Sequence, residues 1–201
     1  VIAVTEKLAW YVSRASGVVA WAMVAASIIW GITLSSRLVK RRGIPAWLLD
    51  LHRYLAALAV VFTVVHLIGL VFDNFVYYGW KELFIPMATD WKPGPTAWGI
   101  VSFYVLLAIE ITSLLMRKIP RKYWHAVHLS AYPLFVMGTV HGFQSGTDRS
   151  NKVLQWTALA IIEVVVGLTL FRALTFTPRK RKARAADNAD SATAATAGAT
   201  Q

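Results

Sequence analysis

The sequence predicts an all-α integral membrane protein, a helical bundle of five transmembrane helices. Three observations carry this. Of the 201 residues, 57% are apolar and the mean hydropathy is +0.52, more apolar surface than a soluble domain of this size covers with its polar residues. Several apolar runs approach or exceed the roughly 20 residues that cross ~30 Å of hydrocarbon. The runs lack period-2 alternation, and a lipid-exposed backbone must satisfy its own hydrogen bonds, which such runs do as helices.

Taken in order, residues 1–15 read as an N-terminal flank with Lys7 and Arg14. A first span over 16–34 has no ionisable residue, and its small residues, among them Gly17, Ala20, Ala25 and Gly31, permit close helix packing. Arg37, Lys40, Arg41 and Arg42 follow, and Gly43 and Pro45 break the helix. A second span over 48–72 holds His52 and His66. The next connection is rich in Tyr and Trp, as interfacial segments are. Pro86, Pro93, Gly94 and Pro95 interrupt it, and 79–87 is expected along the membrane surface. The third span covers 97–116 and ends in the basic turn RKIPRK. The fourth, 123–142, carries His125, His128 and His141. After the polar turn QSGTDRSNK comes a fifth span over 153–174. One membrane domain thus covers 16–176. Residues 177–201 begin with the basic run PRKRKAR and continue as an Ala/Thr/Asp tail, too poor in large apolar residues to pack and expected to be disordered.

Charge sets the expected orientation. Fifteen of the 21 lysines and arginines lie beside the first turn, the third turn and the C-terminal flank. By the positive-inside rule the N-terminus is outside and the C-terminus cytoplasmic, in a bacterial inner or plasma membrane. The net charge of +11 is spread over span ends rather than along a basic face with interleaved aromatics. Membrane lipid, not nucleic acid, is the expected partner surface. The absence of cysteine excludes disulfides, iron–sulfur clusters and thiolate ligation of haem. No signal peptide with a cleavage site is evident.

All five histidines sit on two spans, near their ends, and ionisable groups inside lipid tend to mark a functional path. Both spans run in the same direction. His52 and His128 therefore share one depth, and His66 and His141 another. Fourteen helical residues rise ~21 Å and thirteen ~19.5 Å, so the levels match. At ~100° per residue, His52 and His66 differ by ~40° and share a face, whereas His128 and His141 differ by ~140°. Pro133 lies between the latter two and can kink or rewind the helix. A histidine from each of two facing helices can hold one haem iron between them, which points to two haems stacked across a membrane. Two other readings fit the same residues: a haem carrier or sensor without a through-path, and a metal or proton transporter using the intramembrane histidines.

The residues resemble the ferric-reductase-like transmembrane domain, shared by ferric reductases, NADPH oxidases and the haem-binding membrane subunit of the bacterial methionine sulfoxide reductase system. The resemblance rests on His52–Arg53 followed by an apolar run to His66, on ITS at 111–113 before the basic turn, and on Trp124, His128 and Tyr132 leading to His141–Gly142. It implies two b-type haems, one ligated by His52 and His128, the other by His66 and His141. It also implies one-electron transfer across the membrane to a terminal acceptor, ferric iron or a partner such as an extracytoplasmic methionine sulfoxide reductase. His125, one turn before His128, is the alternative ligand, and no catalytic residue is implied. No GxGxxG occurs, so a separate donor is expected, a flavin reductase or a quinol. Arg53 is a candidate partner for a haem propionate, against simple snorkelling to the interface. Glu110 and Glu163 read as buried acids, either relaying protons or protonated within the bundle. Phe62 and Phe135 fall between the histidine levels.

Overall fold

The computed structural model describes residues 2–36, 46–73, 76, 78–146 and 150–175, with side chains from Lys7 onward. The basic cluster at 37–42 with Gly43 and Pro45, Arg149 of the polar turn, and the 177–201 tail lie outside the described residues. Within them all regular structure is helical: α1 Ile2–Ser35, α2 Ala46–Val71, α3 Trp80–Phe84, α4 Pro93–Leu114, α5 Arg121–Leu129, α6 Ala131–Ser145 and α7 Lys152–Thr175.

Among the described residues four helices are long and apolar enough to cross a membrane: α1 from Lys7, α2, α4 and α7. Large apolar side chains such as Val61, Ile68, Val101 and Trp156 stay on their outer faces, as expected of helices solvated by lipid tails. The chain is a multi-pass membrane protein. The described residues up to Val165 fall in one compact unit; those from Val166, the last turns of α7, fall in a second.

Two expectations are corrected. The first helix begins before the expected span: residues 2–15 are the opening turns of α1. Lys7 is exposed, and the Arg14 guanidinium lies over the Trp10 ring, 3.9 Å from its centroid, so neither charge stops the helix. The fourth span is not one helix. It breaks at Ser130 into α5 and α6. Pro133 lacks the N–H that would bond the Leu129 carbonyl, and its ring would clash there in a continuous helix. Ser130 caps the break through its backbone N–H and its hydroxyl, both on the Val127 carbonyl, at 3.0 and 2.5 Å. The helix resumes with Leu134 N–H on the Ser130 carbonyl, 2.9 Å. Pro133 then sits in the first turn of α6, where a missing N–H costs nothing.

α1 runs along α2 and α4 along α6, with further contacts of α1 on α6 and α2 on α4. The α1–α2 approach is close at Gly69, where a Cβ would lie 2.8 Å from the backbone nitrogen of Ser13. Ala59, Leu106, Ile109 and Leu134, one or two from each of α2, α4 and α6, make a buried cluster, with Met23 and Val24 of α1 packed on it. Lys92 begins α4 in the left-handed region (φ 45°) ahead of Pro93. Its ammonium donates to the Gln144 carbonyl at 2.9 Å, tying the start of α4 to the end of α6.

Candidate cofactor site: two histidine pairs

His66 of α2 faces His141 of α6, with ring centroids 6.3 Å apart and planes at 82°. His66 Nδ1 is 2.7 Å from the Ser13 carbonyl oxygen of α1 and 3.3 Å from the Ser13 hydroxyl. His141 Nδ1 is 2.8 Å from the Pro95 carbonyl oxygen of α4. A carbonyl only accepts, so each Nδ1 carries the proton and donates it. Each Nε2 is left with a free lone pair.

His52 of α2 faces His128 of α5, with centroids 5.9 Å apart and planes at 70°. His52 Nδ1 donates to the Ser27 carbonyl at 3.1 Å, with the Ser27 hydroxyl at 3.3 Å. His128 is held differently. Trp124 stacks on it at 5.0 Å and 22°, and its buried Nδ1 has no hydrogen-bond partner; the same is true of Trp124 Nε1 and Ser113 Oγ. His125 is exposed and touches Trp124 rather than another histidine.

The break at Ser130 resolves the angular mismatch. On one ideal helix His128 and His141 would point ~140° apart, yet here each lies opposite a histidine of α2. Two imidazole nitrogens on opposite sides of one metal, each at a bond length of about 2 Å, leave ring centroids about 6 Å apart, as in both pairs. Among the described residues no group of three or more His, Cys, Asp or Glu converges. Each pair offers two neutral nitrogens, the number that a haem, with four nitrogens of its own, takes from a protein. The donor set therefore fits haem at both levels.

A cavity of about 320 Å³ opens at the His66–His141 level. Trp10, Arg14, Gly17 and Trp21 of α1 line it, together with both histidines. Trp21 donates its indole N–H to Thr139 Oγ1 at 2.9 Å and stacks on Phe135 at 5.7 Å. Phe135 is buried on the cavity wall, while Phe62 is half-buried. Tyr78, from the connection after α2, also lines the cavity; burial raises its phenol above the usual range. Arg14 places a cation on this wall, a role the sequence reading missed. The signal was present: Trp10, Arg14, Gly17 and Trp21 recur at the spacing of one helix face.

Other expected residues lie apart from the pairs. Arg53 is mostly exposed and pairs with Asp50, one turn back, at 3.4 Å. Glu110 is half-buried. Glu163 is exposed on α7, so the expectation of an acid enclosed by the bundle is not met there.

The family model described as ferric reductase like transmembrane component matches residues 9–139. No curated protein and no solved structure matches the chain.

Proposed function

Since the chain belongs to the ferric-reductase-like transmembrane component family, generally a haem-containing electron-transfer membrane domain, we propose that it is a di-haem relay carrying single electrons across a membrane. One b haem is assigned to His52 and His128, the other to His66 and His141. The observation that carries this reading is the pairing itself: two imidazoles face each other at each of two levels, 5.9 and 6.3 Å apart. When bound, the haems supply one-electron iron couples.

The chain's own residues do the rest. The Ser13, Ser27 and Pro95 carbonyls orient three of the imidazoles. Ala59, Leu106, Ile109 and Leu134 fill the core with apolar side chains and keep water from it. Arg14 offers positive charge to an anionic group in the cavity. Arg53, Arg117, Lys118, Arg121 and Lys122 cluster where α2 begins, α4 ends and α5 begins. By the positive-inside rule this charge supports a cytoplasmic His52–His128 level, with a separate flavin reductase or quinol as the proposed donor. The His66–His141 level then faces the acceptor outside, ferric iron or a partner reductase.

The test is a dithionite-reduced minus oxidised spectrum of the purified protein, with haem quantified per chain. Two haems with sharp b-type bands are expected. A colourless preparation made with ample porphyrin supply would overturn the reading and favour ion transport.

A further inference from the structure

Three of the four histidines meet the neighbouring helix in one repeated way. His66 bonds the Ser13 carbonyl, and Gly17 stands four residues on. His52 bonds the Ser27 carbonyl, and Gly31 stands four residues on. His141 bonds the Pro95 carbonyl, and Gly99 stands four residues on. Residues i and i+4 lie one above the other on a helix face. A helical carbonyl already accepts the N–H of residue i+4, and its second lone pair is open only to a group that can come in past that residue. Glycine leaves that approach clear.

The rings occupy the cleared space. A Cβ at Gly17 would lie 2.9 Å from His66 Nδ1, one at Gly31 3.2 Å from His52 Cε1, and one at Gly99 2.6 Å from His141 Cε1 and Nδ1. At all three glycines the three nearest atoms belong to the imidazole. Gly69 differs: it faces Ser13, backbone included, and serves helix packing. The two copies on α1 are fourteen residues apart, as are His52 and His66, and they pair in reverse order along the chain.

We infer that Gly17, Gly31 and Gly99 are ligand-positioning residues. Each opens a backbone carbonyl to one imidazole, which fixes the tautomer, the aim of Nε2 and the strength with which it donates to iron. This rests on the haem reading above. An Nδ1–H donated to a carbonyl makes the opposite nitrogen a stronger ligand. Stronger donation favours ferric iron and lowers the reduction potential of that centre. The acceptors are main-chain atoms, so only the glycines expose the device to substitution.

The experiment compares the full chain, loaded with haem, with Gly17→Ala, Gly31→Ala and Gly99→Ala. Gly167→Ala is the control, since nothing lies within 4 Å of its added methyl. Potentiometric titration of the α bands and low-temperature EPR of the oxidised centres read each haem separately. Gly17→Ala and Gly99→Ala should shift the potential of the same haem upward and change its EPR signal. Gly31→Ala should shift the other haem, and Gly167→Ala neither. Alanine is the better helix former, so selective loss of one haem in Gly99→Ala, the tightest site, supports the inference equally. Gly31→Ala is the mildest change and keeps the test available if Gly99→Ala fails to assemble. Wild-type potentials and EPR signals in all three variants, with both haems bound, would overturn the positioning role and leave the relay intact. A wild-type chain without haem would instead overturn the relay itself.

Discussion

At the level of His66 and His141, both rings donate Nδ1–H to a backbone carbonyl, at 2.7 and 2.8 Å. At the level of His52 and His128 only one does, at 3.1 Å, and the other ring is backed by Trp124 with its own Nδ1 unpaired. The difference follows from which helix backs each histidine. α1 serves both histidines of α2 through a repeated step, and α4 serves His141 from its opening turn. His128 lies in the last turn of the nine-residue α5, just before the Ser130 break. No carbonyl is cleared for it. With its Nδ1 unpaired and the Trp124 ring stacked on it, His128 has the fewest hydrogen-bond restraints of the four rings.

The largest effects should come from removing the paired histidines proposed to hold haem. His66→Leu and His141→Leu should each halve the haem per chain and delete the same spectral component. His52→Leu and His128→Leu should each delete the other. Pyridine haemochrome assay with low-temperature spectra reads this, and loss of both haems from one substitution would mean the levels are not independent. Next in size is access to iron. If the pairs hold haem as proposed, carbon monoxide added to the reduced protein should change the spectrum of the His52–His128 level, where one ring lacks a hydrogen bond, and leave the other level unchanged. A carbon monoxide difference spectrum with equal response from both haems would erase the contrast.

Trp124→Ala should sharpen the contrast. It removes the ring stacked on His128, an interaction worth about 1 kcal/mol, so the carbon monoxide response at that level should rise several-fold in the same spectrum. The smallest effect should come from a tie remote from both pairs. Tyr104 donates its hydroxyl to the Phe84 carbonyl at 2.6 Å, holding α3 against α4. Tyr104→Phe should lower stability in a detergent melt by about 1 kcal/mol, with both haem spectra unchanged.

Much of this architecture was legible in the chain. The apolar runs located α2, α4 and α7 to within a few residues, because lipid demands a continuous apolar length that few other contexts do. The shared face of His52 and His66 followed from fourteen residues being close to four whole turns. The start of α1 was missed because Lys7 and Arg14 resemble a boundary; a guanidinium lying over Trp10 removes that penalty. The Ser130 break was foreshadowed by Pro133, but its angle depends on how α5 and α6 pack, which no local pattern encodes. The orientation of the rings was hidden for a different reason: Ser13, Ser27 and Pro95 act through main-chain oxygens, and a search for polar side chains does not register these. The visible trace was the Ser-x-x-x-Gly spacing at 13–17 and 27–31, in step with the histidines of α2.

Main-chain acceptors also shape how such a chain can diverge. Every residue type brings a carbonyl, so the bonds made by the main chain at 13, 27 and 95 do not themselves demand a particular side chain there. The three glycines, which offer the rings no side chain, are the positions least free to change. Among relatives, invariance would then mark places where matter is missing rather than the atoms that hold the rings, and a comparison limited to polar side chains would pass over them.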